Sequence, residues 1–351
     1  MLTVRTASIA PGGDEGESIE EGNGPRRRGG WNPSVDARIE ELEPRIVDLL
    51  DGRRRDDGGA RSDDRRWIDS LRDAERIAIV PDAHYPFHPS SGVVTDPAVV
   101  GALARVLERE TRADLAVAGG GDEHTSFGQT VAYLGYPDAL EGTDADLVDL
   151  ADEPRENILV DLEAEGLLLG DDADSDGGDP NPLVPLSVPE RLLADEVIVV
   201  PTLRPTEAGP VAGAMRTLAR HVEGPPEPST VAVAATSAID PTCALLDATV
   251  AYGGDPHATG RLFCGRPSAA DAVGATLLDR PLEDDEALRR ALRSDGTSVL
   301  VEGCDVDALA DRIPDGDLPP RTGTHPAVSL AYRTYAAVAG DAVPPQMRGD
   351  R

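Results

Sequence analysis

Lysine is missing altogether from this 351-residue chain, so every basic side chain other than histidine is arginine. That absence removes Schiff-base chemistry, a tethered pyridoxal phosphate and the lysine of a Walker-type phosphate loop. Cysteine is scarce: Cys243, Cys264 and Cys304 are isolated and odd in number, which leaves neither a disulfide framework nor a paired-cysteine metal or iron–sulfur site. With no histidine partner to assign, Cys243 and Cys264 read as small buried fillers rather than nucleophiles. No apolar run reaches the roughly 18 residues of a membrane span, and the N-terminus lacks an apolar signal core. A soluble, cytoplasmic protein with no membrane partner is expected.

Positive charge is the other shortage. Against 65 acidic residues stand 33 basic ones, a formal charge of -32. Nucleic acid is excluded as a partner because phosphate binding needs a basic stripe. The acidic, lysine-free composition instead points to a halophilic protein, in which concentrated counterions screen self-repulsion.

The length suffices for a substantial core. Residues 1–36 are rich in Gly, Glu, Pro and Arg without periodicity and are expected to be disordered. Residues 37–50 place Ile39, Leu42, Ile46 and Leu49 on one helical face. After a charged loop, strands and helices alternate. Strands are expected at 77–80, 115–118, 147–150, 158–162, 196–200, 231–235, 245–250, 261–264 and 298–301. Helices are expected at 97–109, 127–140, 188–194, 211–222, 268–278 and 285–294, with a closing helix at 327–338. Thr95-Asp96-Pro97 is a good helix start, a capping residue ahead of a first-turn proline. The order argues for an α/β fold with a mostly parallel sheet flanked by helices. Lobes at roughly 67–165 and 186–320 would leave a cleft between them.

The chemistry gathers behind the strands. Asp82, His84 and His88 follow the first, and Gly119-Gly120-Gly121-Asp122-Glu123-His124 follows the second. Loops leaving the same end of neighbouring parallel strands are where open α/β sheets bind ligands. Asp82, His84 and His124 are therefore the acid/base candidates, and Asp82, His84, Asp122 and His124 the candidates for a divalent metal. The spacing matches no standard zinc signature, and ordinary loop polarity is the alternative. Gly119, Gly120 and Gly121 suit close backbone approach to an anion, with a tight strand-to-helix turn as the alternative. Arg204 and Arg216 are candidate clamps for carboxylate or phosphate, unless they only balance the acidic surface. Asp172-Ala-Asp174-Ser-Asp176-Gly177 copies half a calcium loop, but Leu183 stands where the bidentate glutamate belongs. That segment reads as a solvated acidic loop. Asp247 ends a strand, and Asp255 lies in the turn Gly253-Gly254-Asp255-Pro256.

In order, these segments resemble the family catalogued as domain of unknown function 362. The matching pieces are Val80-Pro81-Asp82, Thr95-Asp96-Pro97, Gly119 to Asp122, Pro201 to Thr206 with Arg204, Gly213-Ala-Met-Arg216-Thr217, Asp247-Ala248, Gly253 to Pro256 and Ala270-Asp271-Ala272-Val273. Arginine replaces both family lysines, and the ferredoxin-like cysteine segment of many relatives is absent. The resemblance implies an α/β scaffold across about residues 70–315, with Asp247 and Asp255 joining the ligand-binding set. It carries over no iron–sulfur cluster. The expected function is binding of a small anionic ligand, with or without a divalent metal and a reaction; a non-catalytic binding or regulatory protein on the same scaffold is the alternative.

Overall fold

The structure, a computed structural model, describes residues 2–9, 35–52, 66–121, 125–167, 183–295, 298–316 and 318–319. The chain opens with β1 (Leu2–Ser8), α1 (Val35–Asp51) and α2 (Trp67–Arg72). Next come β2 (Arg76–Pro81), α3 (Pro97–Glu110), β3 (Asp114–Gly119), α4 (Phe127–Leu134), α5 (Tyr136–Ala139) and β4 (Asp146–Asp149). A hairpin of β5 (Arg155–Asp161) and β6 (Leu183–Pro189) leads to α6 (Glu190–Ala194) and β7 (Glu196–Val200). The last stretch holds α7 (Gly213–Ala219), α8 (Pro228–Ile239), β8 (Cys243–Tyr252), β9 (Pro256–Gly265), α9 (Pro267–Leu277), α10 (Glu286–Asp295), β10 (Val299–Glu302) and α11 (Val306–Ala310).

Eight strands form one sheet in the order β10-β1-β9-β8-β7-β2-β3-β4. The run from β8 to β4 is parallel, whereas β9 is antiparallel to both its neighbours. This is the α/β architecture expected from the alternating pattern. The continuous apolar runs of β2 and β7 arise because helices cover both faces, so alternate side chains enter different cores. Ala78, Val80, Val197 and Val199 face α7, α8 and α9 on one side, and Ile77, Ile79, Ile198 and Val200 join α1 and α3 on the other. Helix α3 starts as its sequence dictates. Asp96 caps it, accepting from the Ala98 amide at 2.9 Å, with Pro97 in the first turn.

Several expectations need correction. Residues 2–8 are not disordered: β1 pairs with both β9 and β10, and Val4 is fully buried. Strands from the two expected lobes join a single sheet. Residues 231–235 are helical, inside α8, because a short buried apolar run has the same composition in a helix as in a strand. The strand at 158–162 belongs to the separate β5–β6 hairpin. The segment 327–338 and the half calcium loop lie outside the described residues.

Candidate functional site

The strand order reverses between β2 and β7. From β2 the chain proceeds outward to β3 and β4, and from β7 it proceeds the other way to β8. The crevice above such a switch point is the natural ligand position of an open α/β sheet. Here its floor is an ion pair.

Asp82 follows β2 directly and is 1% exposed. Its amide donates to the Val200 carbonyl at 3.1 Å and to Thr95 Oγ1 at 3.0 Å, fixing it against the end of β7. One carboxylate oxygen lies 2.6 Å from His84 Nδ1. The other accepts from Arg204 Nε and Nη2 at 3.1 and 2.8 Å. Burial opposes the charge, yet Arg204 and His84 hold the Asp82 carboxyl well below the usual carboxylate range. Arg204 therefore does not reach for a ligand as a free clamp. It neutralises a buried carboxylate that would otherwise cost several kcal/mol.

Beside this floor a cavity of about 170 Å³ opens over the ends of β3 and β4, lined by Gly120, Gly121, Ala151, Arg155, Arg220 and His221 among others. A Cβ on Gly120 would stand 3.2 Å from His221 Nδ1, so the bare backbone lets the ring approach. Arg155 props the wall by donating to the carbonyls of Ser187 at 2.7 Å and His221 at 3.0 Å. Arg220 is different: its guanidinium makes no hydrogen bond or ion pair with any described residue. Its side chain is exposed on the cavity rim; partial desolvation lowers its pKa, and the nearby Asp82 charge opposes that shift. Burial first, and then the Arg220 charge, lower His221 to about 3 and His84 to about 4. Both imidazoles are thus neutral at pH 7.

Helix α7 delivers Arg220 and His221. It begins beside α9, where Asp271 accepts from the Ala214 and Met215 amides at 2.5 and 3.0 Å. A carboxylate from another helix thus does the work of an N-cap. Gly213 turns into the helix at φ 51°, and a Cβ there would meet the Asp271 carboxylate at 2.4 Å. Burial pushes Asp271 up to about 7 despite its two amide donors.

The structure brings Asp82, His84, Arg204 and the Gly119 to Gly121 loop to one sheet edge and disperses other candidates. Gly119 is needed for packing, since a Cβ would strike the Phe127 ring at 2.5 Å. Arg216, expected as a clamp, instead grips Asp285 with Nη1 at 2.7 Å and Nη2 at 3.0 Å. Asp247 is 2% exposed and ties loops together, accepting from the amides of Asp96 and Thr249 at 2.9 Å each. Burial raises it to about 6. Asp255 is exposed in the β8–β9 turn. His88 bonds locally to Ser90. Asp122, Glu123 and His124 lie outside the described residues, between Gly121 and Thr125. Among the described residues no three His, Cys, Asp or Glu side chains converge as metal ligands would, and both oxygens of Asp82 are already engaged.

Sequence reasoning missed Arg220 and His221. Their signal was available: residues 208–222 contain no carboxylate in a chain with 65 of them, yet include Arg216, Arg220 and His221. No protein-family model matches the chain, and comparisons with curated proteins and with solved structures return no match either.

Proposed function

We propose that this protein binds a small anionic ligand in the cavity above β3 and β4, with Arg220 as the charged clamp. The observation that carries the reading is that Arg220 lines an open cavity without a direct ion pair to a described carboxylate, Asp82 being held by Arg204 and His84 and Glu223 lying beside Arg155. Arg220 is exposed on the cavity rim, where its planar guanidinium can pair bidentately with a ligand carboxylate or phosphate. His221 and the Gly120 backbone complete the contact surface, and Arg155 holds the wall. A divalent metal has less support, because the Asp82 carboxylate already neutralises Arg204 and bonds to His84.

Isothermal titration calorimetry with inorganic phosphate and with pyruvate tests this reading. Saturable binding is expected, and Arg220→Gln should weaken it by about tenfold or more, as a charge-assisted arginine contact contributes roughly 1.5 to 3 kcal/mol. Binding unchanged in Arg220→Gln would remove the cavity from consideration. The reading requires binding alone, and is shared by an enzyme and by a non-catalytic regulatory protein.

A further inference from the structure

Among the described residues, strand β5 has a neighbour on one side only. It pairs with β6 without a break from Arg155 opposite Pro189 to Asp161 opposite Leu183. The direction of its backbone groups is set on β6. Ser187 exchanges two backbone bonds with Glu223, at 2.8 and 3.0 Å, so its N–H and C=O point away from β5. Asn157, opposite Ser187, is therefore a non-hydrogen-bonded position, and its own N–H and C=O point outward, as do those of Leu159 two residues on. Pro185 and Pro189, which have no N–H, occupy the matching positions on β6. The backbone groups of Asn157 and Leu159 meet no partner among the described residues, and Leu159 is 67% exposed.

Exposed edges are a hazard that proteins blunt with short strands and charge. The outer strands of the main sheet follow that rule: β4 and β10 have four residues each and carry Asp146, Asp149 and Glu302. Strand β5 has seven residues, no proline, and Ile158-Leu159-Val160 at its centre. Its sequence is also self-complementary. Laid antiparallel on a second copy about a twofold axis at Ile158, Asn157 meets Leu159, Arg155 stands opposite Asp161 and Glu156 opposite Val160. Outward groups then face outward groups, and no like charges oppose each other. Arg155 keeps its bonds to the Ser187 and His221 carbonyls, so the match is one of charge along the edge rather than a direct ion pair. Within the strand, a shift by two residues either way loses it.

We infer that β5 is a dimerisation edge, where a second copy of this chain adds as an antiparallel strand and makes a four-stranded sheet of two hairpins. Each Asn157–Leu159 pair across the axis exchanges two backbone hydrogen bonds, and the two Leu159 side chains lie diagonally on one face. The anion cavity borders the opposite edge of the hairpin, where Glu223 bridges to Ser187, so the interface leaves it open.

Sedimentation equilibrium of the full chain in molar KCl, where the Debye length is about 3 Å and the charge of -32 on each copy is screened, tests the inference. A dimer is expected, with a dissociation constant of about 10 µM or tighter. Leu159→Pro removes an outward N–H from each copy and none from the β5–β6 ladder, so it should fold and weaken the dimer about tenfold or more. The register has its own test in a Cys304→Ser background. Ile158→Cys puts two thiols face to face on the axis, within disulfide reach, so diamide should link the chains, whereas Glu156→Cys should stay unlinked. A monomer at about 100 µM chain, an unweakened dimer of folded Leu159→Pro, or linkage at position 156 instead of 158 overturns the inference. If the proline variant does not fold, the cross-link decides, and its absence at position 158 overturns the inference alone, with the anion site untouched.

Discussion

Arg216 in the middle of α7 and Arg220 at its C-cap stand one helical turn apart, and they are opposites. Arg216 is wrapped by protein: a two-pronged pair with Asp285 and a bond to the Ala208 carbonyl at 2.8 Å. Arg220 has the same chemistry and none of those partners. Other described arginines, Arg45, Arg112 and Arg289 among them, also make no ion pair, so what sets Arg220 apart is its place on the cavity wall. The family-like motif singles out Arg216, whereas the three-dimensional charge pattern singles out Arg220. Arg216 is a strut, and Arg220 is the group left available.

The first way to break this comparison is to remove the strut. Arg216→Ala leaves Asp285, 1% exposed, without its counter-ion, and should destabilise the fold by about 3 to 5 kcal/mol in chemical denaturation at fixed salt. A loss under about 1 kcal/mol, the scale of an exposed pair, would show that the strut is ornamental.

The next effect is smaller and depends on pH. Burial raises Asp271 from its ordinary value to about 7. A group whose folded pKa is raised contributes most below its unfolded pKa, near 3.9, and loses that contribution as pH climbs through about 7. Asp271→Asn cannot titrate. The variant should cost about 1 kcal/mol near pH 5 as a weakened cap, and its deficit should narrow as pH rises from 4 to 8. A deficit that widens over that range would mean that the two amides keep the carboxylate ionised in the fold.

The sequence makes some of this legible and hides the rest for physical reasons. Apolar runs at 77–80 and 196–200 could be read as buried parallel strands, which is enough to put the loops carrying Asp82 and Arg204 on one edge. Local pattern cannot show that Asp82 and Arg204, 122 positions apart, neutralise each other. Strand β1 escaped notice because only Val4 in it is fully buried; its stability comes from pairing with β9 and β10, more than 250 residues later. Helix α8 was hidden by its run of small apolar residues, although Pro228 in the first turn and the Glu227 side chain accepting from the Ser229 and Thr230 amides mark a helix start. Arg220 and His221 needed the opposite of a motif: attention to where carboxylates are missing.

Removing Arg220 should do the reverse of removing Arg216. Arg220→Gln removes an exposed guanidinium that makes no hydrogen bond or ion pair with a described residue, so stability should stay within about 0.5 kcal/mol of wild type. Anion binding should nevertheless fall at least tenfold. Destabilisation of the Arg216→Ala size would erase the distinction and make both arginines structural.

The smallest effect sharpens the comparison from the carboxylate side. Glu223 lines the same cavity and has a side chain 78% exposed, with a carboxylate oxygen 3.7 Å from Arg155 Nε. An exposed contact of that length contributes little to folding, so Glu223→Gln should leave the melting temperature where it is. Its charge still opposes an arriving anion across a short distance. Two unit charges about 6 Å apart at an effective dielectric of about 40 interact by roughly 1 kcal/mol before salt screening. Screening at 0.15 M should cut this to a few-fold gain in anion affinity, shrinking further toward 1 M, where the Debye length is about 3 Å. A gain that grows with salt, or a loss of affinity at every salt concentration, would mean that Glu223 positions Arg155 for the ligand rather than repelling the anion, and would move the clamp from Arg220 alone to the Arg155–Arg220 pair.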